Sequence, residues 1–137
     1  MKNKCNGFID PNGKVYILDH LNFHGAIIFK HFKKVKDFMS NRIIQRYNKA
    51  KRENLVDDES FCISVRNSLI KNGWVAFSFR CSIFYLENSN YSKKILYNFL
   101  LNNNLKNERP TLYFIPGDRQ KDFISYGELI EYLEYFI

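Results

Sequence analysis

Apolar and polar positions alternate most clearly across residues 74–86. Val75, Phe77, Phe79, Cys81, Ile83 and Tyr85 are interleaved with Ala76, Ser78, Arg80 and Ser82. A period of two sends successive side chains to opposite faces of a strand. The stretch therefore predicts one long central strand, or two strands joined by a bend that no Gly or Pro marks. A second apolar run, residues 111–115, predicts another strand, stopped by Pro116-Gly117. Near the start, FIDPNGKVYIL (residues 8–18) sets two apolar runs about Asp10-Pro11-Asn12-Gly13. Pro11 presets φ for the first central position, Asp10 can accept from the backbone two residues on, and Gly13 tolerates positive φ. This predicts a β-hairpin.

Elsewhere the spacing is helical. Ile28, Phe32, Val35 and Met39 recur at i, i+4, i+7 and i+11, with Lys30, Lys33 and Lys34 on the opposite side beside Asp37 and Asn41. An amphipathic helix is expected from about Phe23, with Asn22 as N-cap. It either runs unbroken to Asn54 or breaks near Ser40-Asn41 and restarts as Ile43–Asn54. Asp57-Asp58-Glu59 suits the start of a further helix, with Phe61, Val65 and Leu69 on one face and Asn72-Gly73 as its C-cap. Asn88-Ser89-Asn90 opens another, running to about Asn103, with Ile95, Leu96, Phe99 and Leu100 inward. After a polar stretch, Ser125-Tyr126-Gly127-Glu128 matches the capping box S-x-x-E, ahead of a helix that buries Leu129, Ile130, Leu133 and Phe136. The sum is one α+β domain over residues 1–137. An N-terminal β-hairpin joins a mixed or antiparallel sheet built around Trp74–Leu86, with helices packed on one face.

At 137 residues and 45% hydrophobic content the chain can bury one core, which excludes global disorder. Phe, Tyr, Met, Ile, Asn and Lys, the residues of AT-rich codons, make 68 positions against 19 for Gly, Ala, Arg and Pro. That bias describes a genome, and it supplies lysines whether or not a surface needs them. The charge is nonetheless uneven. Residues 22–52 hold nine Lys or Arg and one acid, more than the whole net charge of +7, whereas residues 122–137 hold four acids and no base. No run of about 18 apolar residues is present to span a membrane, and the polar start MKNKCNGFID lacks the apolar core of a leader. Three unpatterned cysteines fit a reduced, cytoplasmic setting, with Cys62 and Cys81 read as small buried hydrophobes.

Three kinds of chemistry are weighed. His20 and His24, four apart, could share a helix face and chelate a divalent ion with His31 beyond. No zincin-type Glu follows the first His, and no carboxylate or Cys cluster completes the ligand set, so no metal is expected and the imidazoles are read as flanking the apolar stripe. For catalysis, the chain lacks G-x-S-x-G, a P-loop and G-x-G-x-x-G, and no cofactor is expected. A small enzyme or a metal-binding protein using His20 and His24 is the third reading. The strongest feature is a positive rod of Lys30, Lys33, Lys34, Lys36, Arg42, Arg46, Lys49, Lys51 and Arg52, with Phe32 and Tyr47 among them. Such a surface gains affinity by releasing phosphate counterions. No helix-turn-helix, zinc-finger, RRM or KH signature accompanies it, so RNA or DNA would be read by shape. If the partner is a protein, the exposed members of Tyr47, Tyr91, Tyr113, Arg119 and Tyr126 are the candidate anchors.

The opening GFIDPNGKVYILDH, through Gly7, Phe8, Ile9, Asp10, Gly13, Lys14, Tyr16 and His20, resembles a group of small uncharacterised phage and mobile-element proteins of low-GC bacteria. LIKNGWV at residues 69–75 is similar to a Gly-Trp step in the same group, and Phe8 stands where Trp is usual. The resemblance implies a non-enzymatic binding protein acting on a host protein or ribonucleoprotein complex. One such role is inhibition of a nucleic-acid-guided defence complex of the CRISPR type. The alternative is a basic nucleic-acid-binding accessory protein.

Overall fold

The computed structural model describes residues 7–17, 36, 40–54, 59–78, 81–105, 109–117 and 119–137. In chain order the elements are β1 (Gly7–Ile9), β2 (Val15–Ile17), α1 (Asn41–Arg52), α2 (Glu59–Lys71), β3 (Val75–Ser78), β4 (Ile83–Leu86), α3 (Asn90–Asn102), β5 (Thr111–Phe114), β6 (Arg119–Asp122) and α4 (Tyr126–Glu134). The strands form one mixed sheet in the order β2-β1-β3-β4-β5-β6. All neighbours are antiparallel except β4 and β5, which run parallel. Helix α3 lies between those two in sequence, as a parallel pair requires a crossover. The stripe Ile28, Phe32, Val35 and Met39 lies outside the described residues.

The hairpin forms through the expected turn. Gly13 takes φ +87°, and its N–H donates to the Asp10 carbonyl at 2.8 Å. Asp10 Oδ1 accepts from the N–H groups of Asn12 and Lys14, both at 2.9 Å, and Oδ2 from the Tyr16 hydroxyl at 3.4 Å. The carboxylate is 2% exposed and accepts three hydrogen bonds, as a buried anion needs. Gly7 is required by a close approach, since a Cβ there would collide with the Tyr16 carbonyl and the Phe77 ring.

The alternating run 74–86 resolves into two strands. Phe77 pairs with Phe84 and Ala76 with Tyr85 across a tight connection. The bend carries no glycine because Cys81 itself adopts φ +64°. That left-handed conformation costs an L-residue. It is held by the Tyr126 hydroxyl, which donates to the Cys81 carbonyl at 2.7 Å. Ser89 caps α3 and Ser125 caps α4, each accepting from the N–H three residues on at 3.2 Å. In α4, Leu129 and Leu133 are fully buried, whereas Ile130, and Phe136 just beyond the helix, are only partly so.

Two features differ from the sequence reading. Residues 119–122, taken as part of a polar stretch, form β6. Its four residues, Arg-Gln-Lys-Asp, are all exposed, so an edge strand with no apolar side lacks the alternation by which strands are recognised. The helices also divide between the two faces of the sheet. On one face Val75, Phe77, Phe84, Leu86, Leu112 and Phe114 form a continuous core with Leu96, Phe99 and Leu100 of α3 and Leu129 and Leu133 of α4. This matches the expected packing. Helix α2 lies on the other face, where its Arg66 guanidinium sits 4.1 Å from the centre of the Tyr85 ring. On that face Phe8, Trp74 and Ala76 are fully buried. Trp74 meets Phe8 edge-on at 5.8 Å and stacks on Tyr16 at 6.0 Å.

Candidate nucleic-acid interface

Helix α1 has the sequence NRIIQRYNKAKR and no acidic residue. Arg42, Lys49, Lys51 and Arg52 are exposed, Arg46 is half-buried, and Tyr47 faces inward at 8% exposure. Arg42 and Arg46 stand four apart and so share one side of the helix. That side borders an open groove of about 380 Å³, lined by Ser40, Arg42 and Arg46 from one wall and Asn67, Ser68, Lys71 and Asn72 of the α2 end from the other. Among the described residues, none of its lining side chains is a carboxylate.

The backbone adds to this charge. The N-terminal turn of α1 opens at the groove, and a helix start carries partial positive charge. The end of α2 brings the opposite sign, but its last carbonyls are engaged. Asn72 Nδ2 donates to the Ser68 carbonyl at 2.8 Å, and the N–H groups of Asn72, Gly73 and Trp74 take those of Leu69 and Ile70. Gly73 makes this C-cap with φ +92°. Lys71 in the last turn further offsets the dipole. Three cations, two amides and two hydroxyls around one groove suit a phosphate-bearing ligand.

Helix α2 links a lining residue of the groove to the sheet. Arg66 donates from Nε and Nη2 to Asn67 Oδ1 at 3.1 and 3.0 Å, and Asn67 lines the groove. The same guanidinium covers Tyr85, and the Tyr85 ring stacks on Tyr113 with centroids 5.5 Å apart and planes 20° apart.

The cations outside this region are met differently. Lys93 is 4% exposed, and its Nζ lies 3.5 Å from the Phe136 ring centre, with Phe114 at 5.8 Å and Tyr132 at 6.0 Å. Burial holds its ammonium below the ordinary lysine pKa. Lys121 lies over Tyr132 at 5.1 Å and Phe123 at 5.6 Å. Among the acids of the C-terminal helix, Glu134 accepts from the Tyr97 hydroxyl at 3.0 Å.

Of the expected site residues, the structure brings Arg42 and Arg46 to the groove and leaves Lys49, Lys51 and Arg52 exposed further along α1. Lys30, Lys33 and Lys34 lie outside the described residues, as do His20, His24 and His31. Among the described residues no three His, Cys, Asp or Glu side chains gather as a metal site would need. The aromatic anchors separate. Tyr47 and Tyr126 are buried, and Tyr126 serves the Cys81 turn. Tyr91 is 58% exposed, with its hydroxyl donating to the Pro11 carbonyl at 2.7 Å. Tyr113 is half-buried in its stack, and Arg119 is exposed on β6. Sequence reasoning missed Ser40, Asn67, Ser68, Lys71 and Asn72 as the rest of the groove, and Arg66 and Tyr85 beside it. Asn67 and Lys71 share a helical face by spacing, but nothing in the sequence sets α2 against α1.

No helix among the described residues is long and apolar enough to cross a membrane. No family model, no curated protein and no solved structure matches the chain.

Proposed function

We propose that this is a non-enzymatic protein of a phage or mobile element that acts in the cytoplasm of its bacterial host by binding nucleic acid through its phosphate backbone. The observation that carries the reading is the α1–α2 groove, where Arg42, Arg46 and Lys71 converge with amide and hydroxyl side chains and, among the described residues, no carboxylate lines it. The exposed Lys49, Lys51 and Arg52 extend the positive surface along α1. Backbone contacts of this kind carry no base code, so affinity rests on charge and salt. Binding of labelled oligonucleotides of unrelated sequence, titrated across about 50–200 mM salt, tests it. Wild type is expected to bind them alike with a steep salt dependence. Arg42→Ala, Arg46→Ala and Lys71→Ala together should weaken all of them and flatten the slope by about 0.7–0.9 per lost phosphate contact. A triple variant with unchanged affinity and slope would remove the groove from the interface.

A second reading keeps the binding class and changes the partner to a host protein or ribonucleoprotein, as in an inhibitor of a CRISPR-type complex. One observation favours it. Between α3 and α4 lies a groove of about 410 Å³ lined in part by Leu101, Leu105 and Ile130, with Leu101 56% exposed. Apolar surface of that kind suits a protein anchor. Affinity capture from the host separates the readings. A partner that survives nuclease treatment and is lost in Leu101→Asp supports inhibition of a complex. A partner released by nuclease supports direct nucleic-acid binding.

A further inference from the structure

We propose that the Tyr85–Tyr113 stack is a base-stacking platform, and that the nucleic acid bound is therefore single-stranded. The inference rests on the backbone-binding reading above and specifies its ligand. Tyr85 and Tyr113 are in register on the parallel neighbours β4 and β5, so both rings rise from the same face of the sheet. Their planes lie within 20° of each other. Arg66 closes one end of the row, fixed by its two hydrogen bonds to Asn67. The other end is Tyr113, whose register neighbour on the edge strand is the exposed Gln120.

This part of the face is not covered as the rest is. Phe8 and Ala76, in the same cross-strand row, are fully buried, whereas Tyr85 and Tyr113 keep part of their surface in solvent and Gln120 is exposed. The row reads Arg66, Tyr85, Tyr113 and then Gln120, whose amide is turned to Asp122, and a further planar group would extend it from Tyr113. Nucleobases stack on aromatic side chains and guanidinium planes, whatever their identity.

Charge fixes the direction of the strand. The cations stand on the α1–α2 side, joined to the stack through Asn67. At the opposite border Asp122 is exposed, with its Oδ1 accepting from Thr111 Oγ1 and Gln120 Nε2, both at 2.9 Å. On this face a phosphate is attracted to the first border and repelled by Asp122 at the second, since Arg119 and Lys121 of β6 alternate to the other face of the sheet. The backbone then follows the groove while bases lean over the tyrosines toward β6. A duplex cannot do this, because its bases are already stacked on one another.

Three ligands of equal length separate the terms: a mixed-sequence single strand, the same strand made abasic, and a blunt duplex. Wild type is expected to bind the single strand more tightly than either of the others at one salt concentration. Tyr113→Ala should weaken single-strand binding about 5- to 150-fold, the range that loss of one base–aromatic stack gives. It should leave the abasic strand and the salt slope unchanged, and Tyr113→Phe should restore single-strand binding because the ring face is kept. Circular dichroism of both variants checks that the sheet is intact. Equal binding of all three ligands by wild type, or wild-type affinity in Tyr113→Ala, would overturn the platform and leave the backbone reading standing. Absence of binding to any of the three would overturn both.

Discussion

One sheet presents two unlike faces. On the α3–α4 side, Phe77, Phe84 and Phe99 meet ring to ring at 5.1–6.3 Å, and the core strand residues there are buried from β3 to β5. On the other side the same strands bury their β3 residues under the hairpin aromatics and α2, are partly buried at β4 and β5, and are exposed at β6. The strands of both regions alternate with the same period. What differs is what lies above them, and that decides whether an aromatic ring works as core or as surface. A ring with neighbours all round contributes to stability through area and packing. A ring with one open side is left available to a ligand.

Substitution can break that comparison directly. Phe84→Ala on the dry face is expected to cost about 3–5 kcal/mol, from lost transfer energy and an unfilled cavity, read by chemical denaturation. Tyr113→Ala on the partly exposed face should cost less, about 1 kcal/mol, the central value for point substitutions. Equal losses would mean that the open face is as much core as the closed one.

The next test falls where the open face becomes covered. Asp10 joins the turn to Tyr16, and Tyr16 stacks on Trp74. Burial first, and then the Asp10 charge and hydrogen bond, raise the Tyr16 pKa above its ordinary value. Asp10→Ala leaves two backbone N–H groups and the phenol without their acceptor. A loss of about 2–3 kcal/mol is expected, since each charge-assisted bond contributes about 1.5–3 kcal/mol and water replaces part of them. Urea unfolding of Asp10→Ala beside Asp10→Asn measures it, and an undiminished midpoint in Asp10→Ala would show that the turn holds without its carboxylate.

The smallest effect concerns Lys93, at the margin of the dry face. Lys93 is buried against Phe136 and has a lowered pKa. Between that folded value and the ordinary 10.5, the unfolded chain binds a proton that the folded chain lacks, so stability rises with pH. Wild type is expected to gain on Lys93→Met as pH climbs through this window. The tyrosines that titrate nearby are common to both proteins and cancel in the difference. A gap between the two unfolding curves that stays constant with pH would place the ammonium in water.

The sequence and the structure agree where a local rule decides the outcome. Asp10 to Gly13 could be read as a turn because each residue has a reason to be there. Ser125 could be read as a cap because its acceptor and the Glu128 N–H are three residues apart. The reading fell short where the deciding partner is distant. The bend at Cys81 is hidden because its left-handed backbone is held by Tyr126, far along the chain. Tyr126 and Tyr47 were candidate anchors because a tyrosine in sequence carries no mark of burial. A phenol can lie inside when its hydroxyl finds a carbonyl, as that of Tyr126 does. The charge of α1 is plain in the sequence, where Arg42 and Arg46 stand among the nine cations of residues 22–52. The part of Lys71 is not, because only the fold sets it opposite them.

The position of β1 between β2 and β3 also bears on how the chain assembles. Within the block from β4 to β6 the strand pairs join Ile83 to Thr111 and Thr111 to Asp122, closing shorter loops than the hairpin must. The seam between β1 and β3 joins Ile9 to Val75, and a long loop must lose its freedom before that pairing gains anything. Native-state amide exchange is expected to show the seam as the weaker joint. The amide of Ile9, which faces β3, should open at a lower free energy than those of Phe84 and Leu112. The hairpin would then detach as a unit while the C-terminal block keeps its protection, and the covered half of the open face would be uncovered with it.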